Sequence, residues 1–179
     1  MGVQLGDLLV SIAVTGLVLG GACLLLQQGE QAYAIGAARV ETQQGVRLAL
    51  ERLAAEIRGA GYTPGSAAFP ALGVAEPTRL TIQHDLDGDG AIDRRGEQIT
   101  WLLRGSTLRR DAGGGAQPVL EGVRVLRFTY LDAAGQFTTS PEAVRSVVIS
   151  LAAVSRYARA PAASRVTTTV TTEVRLRNR

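Results

Sequence analysis

The sequence predicts an α+β fold, with one long N-terminal helix packed on the antiparallel β-sheet of a globular head. Two observations carry this expectation. No proline occurs between Met1 and Arg58, and Val46, Leu50, Leu53 and Ile57 recur at spacings of four, three and four, the stripe of an amphipathic helix. Beyond Pro64 the apolar period falls to two, in short runs separated by Gly, Asp and Pro. Of the 179 residues, about 55 belong to the helix, which leaves a head of about 120, an ordinary size for one domain.

The helix has two parts of unlike composition. Between Asp7 and Glu30 there is no charged side chain, and Leu8 to Leu26 is apolar apart from Ser11, Thr15 and small Gly and Ala residues. A run of that length matches a bilayer core about 30 Å thick. Its two hydroxyls can bond back to carbonyls one turn earlier. An acid just ahead of such a run is unusual, because a carboxylate at a bilayer edge is costly and reads as a functional group in need of a partner. From Gly29 the helix turns amphipathic, and Thr42 and Ile35 extend its stripe weakly towards the apolar end. The face opposite the stripe carries Arg47, Glu51, Arg52 and Glu56, with Arg47–Glu51 and Arg52–Glu56 at i,i+4 spacing. A single helix from about Leu5 to Arg58 would be on the order of 80 Å long. Gly59, Gly61 and Thr63-Pro64-Gly65 then stop it, glycine supplying the left-handed cap.

Residues 64–77 read as a loop over the head. Arg79–Gln83, Gln98–Leu103 and Thr107–Arg110 read as strands, the last two joined by a tight hairpin at Gly105-Ser106. Gly113-Gly114-Gly115 is a turn with no phosphate-loop context, since neither a Lys-Ser/Thr pair nor a helix start follows. Val123–Leu131 and Val144–Leu151 are two further strands, and Arg156 to Ser164 is a loop. The last strand, Val166–Leu176, places Val166, Thr168, Val170, Thr172, Val174 and Leu176 on one face, the pattern of a half-buried antiparallel strand.

The formal net charge is +3, and every basic residue is Arg. Residues 156–179 hold six Arg against Glu173, but these alternate with Thr and Val in strand order, so they fit a solvated sheet face and no nucleic-acid partner is expected. One cysteine excludes an internal disulfide. His84 is the single histidine, read as solvated beside an acidic turn, and Cys23 lies inside the apolar run. A Cys–His pair, a multi-histidine metal site and a nucleophile elbow are therefore all missing, and the expectation is a structural, non-catalytic chain.

The sharpest local motif is Asp85-Leu86-Asp87-Gly88-Asp89-Gly90-Ala91-Ile92-Asp93. Carboxylates at positions 1, 3, 5 and 9 with Gly at 6 match the first nine positions of an EF-hand-type calcium loop. The match stops there: position 12 is Gly96, Glu97 comes one residue late, and the flanks read as strands. Asp85, Asp87, Asp89 and Asp93 are thus candidate ligands of Ca2+, in a loop closed by Glu97, Asp93 or water. An Asp/Gly-rich β-turn is the competing reading. No cofactor is required.

Gly2-Val3-Gln4-Leu5-Gly6-Asp7-Leu8-Leu9-Val10 resembles the type IV prepilin signature: Gly, then Phe-Thr-Leu-Ile-Glu-Leu, then an apolar helix. Val3 stands for the usual Phe, Gly6 for an apolar residue and Asp7 for Glu. The run from Glu41 to Gly61-Tyr62, with Leu126–Asp132 and Val174–Asn178, looks like the PilW-like minor pilins and the related J-type minor pseudopilins of type II secretion. The resemblance implies a pilin-like fold, cleavage between Gly2 and Val3 by prepilin peptidase, and N-methylation of Val3. Asp7 would serve as an assembly residue, meeting the amino group of an adjacent subunit's Val3. It divides the chain into a residual leader (1–2), a transmembrane and assembly half-helix (3–28), an amphipathic half-helix (29–60) and a β-rich head (61–179). The implied partners are other minor pilins and the major pilin, through the N-terminal helix, inner-membrane lipid before assembly and a candidate tip adhesin. The implied topology is single-pass in the inner membrane, N-terminus cytoplasmic and head periplasmic, followed by entry into a pilus or pseudopilus. The family's leader is basic whereas Met1-Gly2 is not, so the expectation is a translation start upstream of Met1. An anchored ligand-binding module is the alternative, held by an uncleaved helix or lipidated at Cys23, where Leu19-Gly20-Gly21-Ala22-Cys23 looks faintly like a lipoprotein box.

Overall fold

The computed structural model describes residues 5–93, 95–155 and 166–178. The processing pair Gly2–Val3 and the expected loop from Arg156 to Ser164 lie outside the described residues. Leu5–Gly59 forms one helix of 55 residues, α1, with Asp7 in its first turn and Arg58 in its last. The stripe read from sequence is the buried face: Val46, Leu50, Leu53 and Ile57 enter the core, with Ala49 and Ala54 between them. Ser11 and Thr15 each donate their hydroxyl to the carbonyl four residues back, as their place in an apolar helix requires.

The end of α1 is built from three directions. Gly61 takes the left-handed conformation (φ +77°), and Ala60 N–H and Tyr62 N–H donate to the carbonyls of Ile57 and Gly59. His84 Nδ1 lies 2.9 Å from the Gly59 carbonyl, which can only accept, so Nδ1 carries the proton. Asn178 Nδ2 donates to the carbonyls of Gly59 and Ala60. The expectation of a solvated His84 is therefore corrected. The ring is buried because it satisfies a helix-end carbonyl that has no partner within the helix.

Eight strands follow. β1 (Leu72–Glu76), β2 (Arg79–Gln83), β3 (Gln98–Arg104), β4 (Thr107–Asp111) and β5 (Gln117–Glu121) pair in sequential antiparallel order. β6 (Val123–Leu131), β7 (Ser146–Val154) and β8 (Thr167–Arg175) form a second antiparallel sheet. The head thus holds two sheets where one was expected. The chain turns at Gly122 (φ +75°), and β6 leaves β5 to pair with β7. The sheets are tied where β6 meets the β1–β2 turn: Phe128 N–H donates to the Pro77 carbonyl at 2.8 Å, and Tyr130 Oη to the Glu76 carbonyl at 2.7 Å. Burial, with the nearby Glu76 carboxylate, pushes the Tyr130 phenol well above its ordinary pKa, so it stays a donor.

Two strands escaped the sequence reading. β1 lies inside the segment taken as loop; it has a bulge between Leu72 and Val74, and a side chain at Gly73 would meet Gln83. β5 contains Pro118, which a strand accepts at a sheet edge, and β5 is an edge. The remaining strands fall within three residues of their expected bounds. The Gly105-Ser106 hairpin is present, with Gly105 at φ +62°.

Glu56 also departs from expectation. Its side chain is only 15 % exposed; Oε2 accepts from the Trp101 indole at 2.6 Å and Oε1 from Arg110 Nε at 2.7 Å. Arg52, the expected i,i+4 partner, lies farther off at 3.5 Å. The carboxylate therefore bolts α1 to β3 and β4. Arg47–Glu51, by contrast, is the exposed pair that its spacing predicts.

Candidate functional sites: an uncovered apolar helix and an acidic loop

From Leu5 to Tyr33 every residue of α1 is exposed, including Leu8, Leu9, Leu17, Leu24, Leu25 and Leu26. This segment is long and apolar enough to cross a membrane, and none of its apolar window is buried by the head. A helix that is apolar all round is stable only where lipid or other helices cover it. Asp7 is exposed in the first turn of α1, where a negative charge interacts favourably with the helix dipole. Cys23 is an exposed free thiol midway along the same segment.

The acidic loop joins β2 to β3 and lies against the end of α1. Gly61 N–H donates to the Gln83 carbonyl and Asp85 N–H to the Tyr62 carbonyl, so the residues after the helix run beside the end of β2. Asp85 is fully buried. Its Oδ2 accepts from Thr63 Oγ1 at 2.8 Å and Gly90 N at 3.2 Å, and its Oδ1 from Gly88 N at 2.7 Å. Burial pushes the Asp85 pKa up, but these hydrogen bonds outweigh it and hold the carboxyl below its ordinary value. Gly88 and Gly90, both at φ +82°, allow the tight winding that brings the two N–H groups round.

Asp85, Asp87 and Asp89 each offer a carboxylate oxygen within 4.8 Å of the others, the last two from exposed side chains. Asp93 does not join that group. It is exposed, and its N–H donates to Glu97 Oε2 at 3.2 Å. Glu97 is the residue whose importance the motif underplays. It is buried, and its Oε1 accepts from Leu86 N–H at 3.2 Å, so it closes the loop through the backbone. Its lateness by one position in the calcium-loop register was the available signal.

Taken together, a helix half free and half embedded, with a β-meander head on its far half, is a type IV pilin-like fold. Among solved structures the chain is similar to a type IV-like pilin from Thermus thermophilus, with a TM-score of 0.51 at 16 % identity, covering 76 % of this chain and 97 % of that one. The likeness is one of fold. No protein-family model matches the sequence, and no curated protein does.

Proposed function

We propose that the chain is a structural, non-catalytic pilin-type assembly subunit, a PilW-like minor pilin that helps to initiate or tip a filament at the inner membrane. The observation that carries this reading is the uncovered apolar half of α1, continuous with a half that is locked into the head. Before assembly lipid would cover Leu5–Leu26; in a filament the helices of neighbouring subunits would do so. Transfer away from water leaves Asp7 in need of a cation, since an unpaired buried charge is costly. In the prepilin pattern that cation is the amino group of an adjacent subunit's Val3, freed by prepilin peptidase. The test is incorporation of Asp7→Ala into filaments. The expected result is loss of most incorporation with unchanged melting of the head; wild-type incorporation would sink the proposal. A J-type pseudopilin of type II secretion shares the same device, and co-purification of the tagged chain with secretion or pilus components separates the two.

The alternative class is an anchored binding module. Mass spectrometry of the mature N-terminus decides between the classes: N-methyl-Val3 supports the pilin, acylated Cys23 the lipoprotein and an intact N-terminal segment the plain anchor. A calcium role for the loop suits either class. Its support is the convergence of Asp85, Asp87 and Asp89 beside the negative end of a long helix, charges that a divalent cation would offset. Against it, Asp85 is already filled by three hydrogen-bond donors. If calcium binds, chelation with EDTA exposes the 85–97 segment to protease; unchanged cleavage and unchanged melting reject that role.

A further inference from the structure

We propose that the head carries a carboxylate-binding cleft that receives an acidic peptide segment of a partner protein. Arg52 of α1, Arg95 ahead of β3 and Arg110 of β4 line one cavity of about 370 Å³, and no carboxylate lines it among the described residues. Two acids flank it: Glu56, whose Oε1 both Arg52 and Arg110 engage, and Asp111, which lines the neighbouring cavity with Asp93 on the other side of Arg95. Arg95 has no ion-pair partner among the described residues, and its side chain is exposed. Three guanidinium groups against the carboxylates of Glu56 and Asp111 leave the cleft with an excess of positive charge, centred on Arg95.

The lining of the cleft favours a carboxylate over a phosphate. Backbone N–H nests are the usual cradle of phosphate. Here Gly113 N–H and Gly115 N–H are both spent on Asp111 Oδ1, at 2.9 and 3.1 Å. What remains are guanidinium forks, which pair bidentately with a carboxylate or a phosphate alike, so the apolar wall makes the difference. Ala112, Pro118 and Val119 supply apolar wall for the stem of a glutamate. Arg95 lies over the glycine turn: its Cγ is 3.1 Å from where a Gly113 Cβ would stand, and a Cβ at Gly114 would overlap its Nη2. The Gly113-Gly114-Gly115 turn is thus the seat of Arg95.

Trp101 provides the readout. It is the chain's only tryptophan, and its indole donates to Glu56, the carboxylate that Arg52 and Arg110 share. The full chain in nonionic detergent is titrated with acetyl-tetraglutamate amide, followed by Trp101 fluorescence and by calorimetry. The expected result is saturable binding that weakens at least tenfold in Arg95→Ala and in Arg95→Gln, with far-ultraviolet dichroism and melting unchanged. Gly114→Ala is expected to weaken it as well, by displacing the guanidinium. No saturable signal in either readout, undiminished binding by both Arg95 variants, or equal binding of tetraglutamine would overturn the proposal. Inorganic phosphate competing as well as the peptide would overturn the choice of carboxylate. The cleft does not depend on the filament reading, since Asp7 takes no part in it.

Discussion

The two halves of α1 are continuous backbone with opposite relations to the rest of the molecule. Residues 5–33 are exposed throughout, with Leu8–Leu26 apolar on nearly every side, whereas Val46–Ile57 bury one face and keep charges on the other. The far half needs periodicity because it has one dry side. The near half needs only length and apolarity because its cover lies outside the chain. A helix of this kind carries an uncovered apolar surface on the same rod that is embedded in the head.

That contrast can be broken most sharply at Leu53, fully buried on the embedded face. Leu53→Ala is expected to destabilise the head by about 2–5 kcal/mol, whereas Leu17→Ala, in the uncovered half, should leave its melting within about 0.5 kcal/mol. Chemical denaturation of the full chain in detergent measures both; equal effects would erase the distinction. Glu56→Gln sharpens it next. Removing the charge that Arg110 faces at 2.7 Å leaves a mostly buried cation poorly paired, and about 1–3 kcal/mol of stability should go. Gly61→Ala probes the end of the embedded half. Its φ of +77° is a left-handed conformation that costs an L-residue about 1–2 kcal/mol. Gly16→Ala, in open space within the uncovered half, should not destabilise the head at all.

The smallest effect concerns pH, measured without added divalent cations. The folded pKa of Asp85 is depressed, so its stabilisation is present above the unfolded value of about 4 and is lost as pH falls through the folded value. Proteolysis of the 85–97 loop should therefore rise below about pH 4. Asp85→Asn should flatten that rise, and an unaltered profile would show that other carboxylates control the loop.

Much of this architecture was legible in order along the chain. The buried stripe Val46–Leu50–Leu53–Ile57, the glycine stop at Gly61 and the Gly105-Ser106 hairpin each depend on neighbours within one or two turns, and local pattern reports such neighbours faithfully. Of the acidic loop, its carboxylates and its winding glycines were visible, but not the burial of Asp85 or the closing role of Glu97. β5 was hidden by Pro118, since only its place at a sheet edge makes that proline acceptable.

By itself, then, the sequence determined a long two-natured helix, a strand-rich head and an acidic loop, because each is set by the order and period of near neighbours. Tertiary structure alone decided which charged and polar groups would be dry. Glu56 reaches Trp101 and Arg110 across 45 and 54 residues, His84 reaches Gly59 across 25, and Asn178 reaches it across 119. Partnerships at such separations follow from how the two sheets close on the helix. A solvent-seeking residue in one dimension becomes a bolt in three once its hydrogen bonds can be met inside.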